Sequence, residues 1–199
     1  MVNKKNIICY FIFSFFLILL DQLTKLSVKG FSILGLTHEG MNLGESIQFI
    51  GDFLQITYVE NAGMAFGISF GSGKLFLSLF RIIASILIIY YLFNLSGFSK
   101  YVKFGVSVIL AGAVGNLIDS LFYGLFYGEA PLFYGRVVDF IQIDIPDIDF
   151  MGIFYTHWPV FNIADACVTI GVIILLIFNK HIPSFREVFG KGRVSESED

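Results

Sequence analysis

Asparagine and aspartate recur three residues apart at the ends of two apolar segments. "GNLID" closes one segment and contains Asn116 and Asp119, and "FNIADA" opens another and contains Asn162 and Asp165. On a helix, residues three apart share a face, so each helix would aim an amide and a carboxylate at one place. Polar groups at membrane depth are costly, which makes these four side chains candidates for a functional site.

Other polar residues accompany these two pairs. "GRVVDF" sets Asp139 among apolar neighbours and adds Arg136, and further candidates are Asp21, Lys25 and Asn61. No His, Cys or Ser has metal-ligand or nucleophile spacing, so we expect no metal and no cofactor. Two carboxylates about 4 Å apart repel by about 4 kcal/mol at an effective dielectric of about 20. One would stay protonated while the other acts as a base, which is the chemistry of an aspartic peptidase acting on water.

Each candidate also has a purely structural interpretation. Asp21 and Lys25 are four residues apart and suit an ion pair that orients a helix, while Asp119 could bind loop backbone. Helix caps and loop anchors are common uses of asparagine, which would account for Asn61, Asn116 and Asn162. The structural interpretation is weakest for Asp139 and Asp165, because Asn162 already suits the cap position. These two aspartates are therefore our candidates for the reacting pair.

The composition is that of an integral membrane protein. The 199 residues are 56% hydrophobic and 15% charged, with a mean hydropathy of +0.78, and a soluble chain of this size could not bury so much apolar surface. The net charge of −3, without a basic stripe, argues against a nucleic-acid partner. Cys9 and Cys167 lie in apolar runs and are interpreted as packing residues.

Four apolar segments are long enough to cross a membrane, at about residues 6–28, 75–95, 102–120 and 162–179. The first resembles a signal peptide, but "DQLTK" stands where a small-residue cleavage site would be needed, so we interpret it as a retained span. Lysine and arginine flank the segments on the sides that hold both termini, which predicts cytoplasmic termini. The loops at about 29–74 and 121–161 would then be extracytoplasmic.

The outer loops contain strand patterns. "SIQFI" and "FLQITYV" predict a hairpin, "RVVDFIQI" predicts another strand, and "NAGMAFG" predicts a turn back toward the membrane. The acidic "IDIPDIDF" is interpreted as a solvated loop. We therefore predict a mainly α membrane protein in which four transmembrane helices carry a small extracytoplasmic β-sheet that rests on the bilayer surface. Residues 1–180 would form a single domain, followed by a cytoplasmic tail at 181–199.

The motifs "DQLTK", "YVENAGMAFG", "GNLIDS", "GRVVDF" and "FNIADA" resemble, in order and spacing, those of lipoprotein signal peptidase (signal peptidase II). The resemblance implies an aspartic peptidase of the bacterial cytoplasmic (inner) membrane with its active site at the extracytoplasmic face. It also implies that four transmembrane helices carry a small extracytoplasmic β-cradle and an extracytoplasmic loop. It assigns catalysis to Asp139 and Asp165, and support to the other polar residues named above. We expect Arg136 to join them or the substrate to be bound differently, because Ser120 stands where the family has arginine.

The resemblance also implies partners. The substrates would be prolipoproteins carrying a diacylglyceryl cysteine, cleaved just before that cysteine, and the enzyme would contact membrane lipids and bind globomycin-type inhibitors. We expect a monomer. Two other classes remain open from the residues: a proton-coupled transporter component that uses buried carboxylates as a relay, and a lipoprotein-binding factor without catalysis.

Overall fold

The computed structural model describes residues 5–63, 73–150 and 153–190. Most of the predicted turn "NAGMAFG" and the tail from residue 191 lie outside the described residues. The four apolar segments are helical. In chain order, helices α1 to α6 are Lys5–Lys29, Gly73–Asn94, Lys100–Ile118, Gly124–Phe126, Ile163–Ile177 and Phe185–Phe189.

Three of the helical stretches are long and apolar enough to cross a membrane: Asn6–Lys29, Gly73–Asn94 and Lys100–Phe126. With 15 residues, α5 is shorter than the roughly 20 that span the hydrocarbon core. It qualifies only together with Asn179–Phe189, from which it is bent by 77°. The described chain therefore has three candidate spans, or four if the bent pair is counted as one.

Helix α3 forms the centre of the helical layer. Within the most apolar part of its span 56% of the residues are buried, against 17% in α1 and in α2. Glycine allows its close contact with α5, since a methyl group at Gly112 would lie 2.2 Å from the carbonyl oxygen of Ala164. Many large apolar side chains of α1 and α2 are exposed, as a lipid-facing surface requires.

A four-stranded antiparallel sheet lies next to the helices. Its strands, in spatial order, are β3 Ser46–Ile50, β4 Leu54–Asn61, β5 Val137–Phe150 and β6 Ile153–His157. The hairpin β3–β4 and the start of β5 agree with the strand patterns in the sequence. Beyond β6, Phe161 pairs with Ile141 through two main-chain hydrogen bonds of 2.7 and 3.1 Å. This bridge brings the start of α5 beside the part of β5 that holds Asp139.

Three features differ from the sequence-based expectation. A short hairpin, β1 Gly30–Ile33 and β2 Leu36–Glu39, follows α1. Its two-residue turn uses positive φ at Leu34 (50°) and Gly35 (84°), the geometry that fits twisted hairpins. Helix α3 continues through a π-helical turn, Asp119–Tyr123, and α4, whereas the predicted span ended at about residue 120. The acidic segment interpreted as a loop lies within β5, where Asp144 and Asp149 are exposed.

Candidate active site

Asp139 lies in β5, opposite Val59 of β4, and is only 3% exposed. Its Oδ1 accepts a hydrogen bond from Asn162 Nδ2 at 2.7 Å, and the side chain of Asn61 also hydrogen-bonds to it. Asn61 is itself oriented by Gly63, whose N–H donates to Asn61 Oδ1 at 2.9 Å. Burial and the nearby charge of Asp165 raise the pKa of Asp139 to about 7. Near neutral pH this carboxyl is therefore partly protonated, whereas an ordinary aspartate is ionised.

Asp165 lies in the first turn of α5 and is partly exposed. It forms a capping box with Asn162: the N–H of Asp165 donates to Asn162 Oδ1 at 2.9 Å, and the N–H of Asn162 donates to Asp165 Oδ2 at 3.2 Å. Its other oxygen, Oδ1, accepts from Asn116 Nδ2 at 2.7 Å. The carboxylate is thus held on one side by the helix start and on the other by α3.

Asn162 links the two aspartates. Its Nδ2 lies 2.7 Å from Asp139 Oδ1, 3.1 Å from Asn116 Oδ1 and 3.2 Å from the carbonyl oxygen of Val138. Two amide hydrogens are therefore shared among three acceptors, and the residue is fully buried. The same side chain caps α5 and contacts the aspartate of β5. As a result, the geometry of the pair depends on one amide.

An inner cluster of charges, defined by Asp21, Lys25 and Asp119, lies behind the pair. Lys25 Nζ is 2.9 Å from Asp21 Oδ2 and 2.8 Å from Asp119 Oδ2, and no side chain of the three is more than 1% exposed. The ammonium also donates to Asn116 Oδ1 at 2.9 Å. Its three hydrogens thus have three acceptors, which is what burial of a charge demands.

The inner cluster also binds main chain on both sides of the site. The N–H of Ala164 donates to Asp21 Oδ1 at 2.8 Å, and the N–H of Val138 donates to Asp119 Oδ2 at 3.2 Å. Ala164 precedes Asp165 in the chain, and Val138 precedes Asp139. The two carboxylates of the cluster therefore hold the backbone next to each candidate aspartate.

Arg136 does not join this cluster. Its guanidinium is 55% exposed and donates to Glu60 at 3.4 Å. Together with Lys29, Glu60 and Glu129 it forms an outer cluster, part of which lines an open cavity of about 760 Å³. Hydrogen bonds from Lys29 and Tyr58 lower the pKa of Glu60 against the opposing effect of burial. The expected second cation near the aspartates is therefore not Arg136.

Sequence reasoning missed two polar contributors. Gln22 Nε2 donates to Asp119 Oδ1 at 2.9 Å, and Arg81 of α2 donates to Ser120 Oγ. Gln22 belongs to "DQLTK", and its place between two motif residues was an available signal. For Arg81 the signal was its position, a single arginine well inside an otherwise apolar helix.

The arrangement is suited to acid–base chemistry on water. Two carboxylates share a hydrogen-bond network, one favours its protonated form, and the other is accessible at the protein surface. No group of three or more His, Cys, Asp or Glu side chains within residues 5–63, 73–150 and 153–190 is placed to hold a metal ion.

Comparison with known proteins identifies the family. The model of the family Peptidase_A8, signal peptidase (SPase) II, matches residues 13–180. The lipoprotein signal peptidase of Clostridium tetani is 39% identical, over 81% of this chain and 85% of the relative. That of Chlorobium phaeobacteroides (strain BS1) is 37% identical, over 85% of this chain and 94% of the relative.

Solved structures agree with these relatives. A bacterial membrane enzyme determined by the in meso method at 1.9 Å shares 32% identity and a TM-score of 0.59, over 86% of this chain and 92% of that one. A second, determined at 2.3 Å, shares 28% identity and a TM-score of 0.61, over 96% and 94%. The family model matches most of the chain, and the two lipoprotein signal peptidases are more than one third identical to it over most of its length. This protein therefore belongs to the signal peptidase II family of membrane aspartic peptidases.

Proposed function

We propose that this enzyme removes the signal peptide from diacylglyceryl-modified prolipoproteins, cleaving before the lipobox cysteine, with Asp139 and Asp165 as its catalytic pair. The observation that carries the proposal is the shared contact with Asn162, which donates to Asp139 Oδ1 at 2.7 Å and to Asp165 Oδ2 at 3.2 Å. The relatives are named lipoprotein signal peptidases, and that name supports the substrate class.

The pKa of Asp139, raised to about 7 by burial and by the charge of Asp165, supports a resting pair in which Asp139 holds the proton. Asp165, as the carboxylate, takes a proton from water while the resulting hydroxide attacks the scissile carbonyl carbon. Asp139 gives its proton to the carbonyl oxygen, which forms a neutral diol. When the C–N bond breaks, Asp165 gives its proton to the leaving amine and Asp139 recovers a proton from the diol. Atoms and charge balance, and both aspartates return to their starting states.

An apolar cavity of about 570 Å³ next to Asp165 supports a hydrophobic substrate. It is lined by Ile143, Ile145, Trp158, Phe161, Asp165, Ala166, Thr169 and Ile170. Such a surface is suited to the apolar part of a signal peptide or to acyl chains. The lipid-modified precursor would enter laterally, because its diacylglyceryl chains remain in the bilayer. Globomycin-type cyclic peptides would compete for the same site.

The proposed topology follows from length and charge. The bent pair of α5 and the segment after it would act as the fourth span, beside the three helices that qualify alone. Both termini would be cytoplasmic, the sheet would form an extracytoplasmic cradle, and the site would open to that face of the bacterial inner membrane. Residues 1–180 would form a single peptidase domain that acts as a monomer.

The test is cleavage of a purified lipidated precursor by detergent-solubilised enzyme. We expect Asp139→Asn and Asp165→Asn each to lower kcat by at least about a hundredfold, because each variant removes one proton-transfer group. Asp144→Asn is the matched control, since Asp144 is an exposed aspartate on the same strand. Near-normal cleavage by either folded pair variant would overturn the assignment. Because the assay has no membrane gradient, a proton-coupled transporter would show no activity in it, and a binding factor would retain the precursor uncut.

A further inference from the structure

Arg81 is an unusual residue for its position. It lies in the third turn of α2, whose sequence "GKLFLSLFRIIASILIIYYLFN" carries charge only at Lys74 and Arg81. Two buried serines, Ser78 and Ser85, mark the inward face of the helix three residues before and four residues after it. Arg81 therefore lies between them, toward the protein interior. A guanidinium in that place is costly, which makes Arg81 a candidate for a functional residue.

Ser120 holds this guanidinium. Arg81 Nη1 donates to Ser120 Oγ, and Ser120 Oγ donates in turn to the carbonyl oxygen of Asn116 at 2.8 Å. Ser120 is 1% exposed and lies in the π-helical turn directly after Asp119. The hydroxyl thus connects Arg81 to the backbone of Asn116, the residue that binds Asp165.

The charge of Arg81 acts on the site without forming an ion pair in it. Its electrostatic partners are Asp165, Asp119 and Asp139, with Asp165 the strongest. Within the described part of the chain, no carboxylate oxygen lies within 4.0 Å of its nitrogens. Its one hydrogen bond there uses a single N–H of the five on a guanidinium. Its other donors have no hydrogen-bond partner among the described residues.

We infer that Arg81 is a substrate-binding residue, whose guanidinium, oriented by Ser120, donates hydrogen bonds to main-chain carbonyl oxygens beside the scissile bond. A peptide in that place offers uncharged oxygen acceptors, and a guanidinium offers only donors in a planar fork. The inference rests on the proposed function and names a further part of the same site. The positive charge also stabilises the ionised form of the pair.

The decisive variants are Arg81→Gln, Arg81→Lys and Ser120→Ala, assayed on the purified lipidated precursor. We expect Arg81→Gln to lower kcat/KM by about 10- to 100-fold, mainly through KM, since hydrogen bonds from a charged donor are lost. Arg81→Lys keeps the charge but not the fork and should lose less. Ser120→Ala should raise KM by a few-fold, because it frees the guanidinium without removing it. Ser85→Ala is the matched control on the same face of α2, and its buried hydroxyl has no hydrogen-bond partner among the described residues.

A pH profile separates binding from a merely structural role. The charge of Arg81 favours ionised Asp139, so in Arg81→Gln the alkaline limb of kcat should move to higher pH, while Arg81→Lys should leave it in place. A folded Arg81→Gln with kcat/KM within about twofold of the wild type would overturn the inference. If that variant does not fold, unchanged KM in Arg81→Lys would overturn it equally. Neither result bears on the catalytic pair, which Asp139→Asn and Asp165→Asn test in the same assay.

Discussion

Helix α1 carries two lysines one turn apart, and each binds two acids in a different environment. Lys25 pairs with Asp21 and Asp119, and all three side chains are at most 1% exposed. Lys29 pairs with Glu60 and Glu129, of which Glu129 is 46% exposed. The same charge chemistry is thus used once in a dry interior and once at an open cavity.

The difference lies in what else the acids bind. Carboxylates of the inner cluster also accept hydrogen bonds from the backbone of Val138 and Ala164, next to the two catalytic candidates. In the outer cluster, Glu60 accepts from the side chains of Lys29, Tyr58 and Arg136. The inner cluster positions main chain, whereas the outer cluster joins side chains beside the open cavity.

Removing the buried ammonium should have the largest effect. We expect Lys25→Met to lower the free energy of unfolding by about 3–5 kcal/mol, because two carboxylates would remain buried without their cation. The same substitution one turn on, Lys29→Met, is the control and should cost less, since Glu60 keeps Tyr58 and Arg136. Reversible unfolding in mixed micelles measures both. Equal losses would contradict the distinction between the clusters.

The stability should also depend on pH through Asp139. Its pKa rises from the ordinary 3.8 to about 7, owing to burial first and then to the charge of Asp165. The folded protein then retains a proton that the unfolded chain releases, so stability should fall as the pH rises from about 4 to about 7. Thermal unfolding measured at several pH values in this range tests the prediction. The part of the fall that Asp139 causes should be absent in Asp139→Asn.

In Asp165→Asn the fall should occur at lower pH, because the repelling charge is gone. Arg136→Gln, in the outer cluster, should keep the wild-type profile. A wild-type curve parallel to that of Asp139→Asn would show that Asp139 ionises normally.

The smallest effect is expected in the outer cluster itself. Arg136 is 55% exposed and its contact with Glu60 is 3.4 Å long, so Arg136→Gln should change the free energy of unfolding by at most about 1 kcal/mol. High salt should reduce even this difference, since exposed charges are screened. A loss that exceeds that of Lys29→Met would mean that the outer cluster depends on Arg136 rather than on its lysine.

Periodicity and hydropathy were sufficient for the elements that follow simple rules. The four helices agree because long apolar runs have few alternatives, and the hairpin β3–β4 agrees because its strands alternate and are β-branched. The hairpin after α1 was missed because "GFSI" and "LTHE" are only four residues long, too short for their pattern to distinguish a strand from a loop. The π-helical turn at Asp119 was missed because one inserted residue leaves no pattern in the sequence.

Spacing within one helix was also easier to interpret than contact between elements. The capping box of Asn162 and Asp165 is local and could be expected from three-residue spacing. The motif "GRVVDF" led us to expect Arg136 as the second cation of the site, beside Lys25. The cation that contacts Ser120 is instead Arg81, which lies 39 residues before Ser120 in the chain. Only tertiary packing decides which of two arginines reaches a site.

The order of synthesis gives the inner cluster a further role. When α1 enters the membrane during translation, Asp119 and Ala164 have not yet been made, so the later partners of Asp21 and Lys25 are absent. The 2.9 Å contact between these two residues lies within a single helix turn and needs no other part of the chain. Helix α1 therefore carries a counterion for Lys25 into the bilayer. The charge of Lys25 is paired with Asp21 before Asp119 is synthesised.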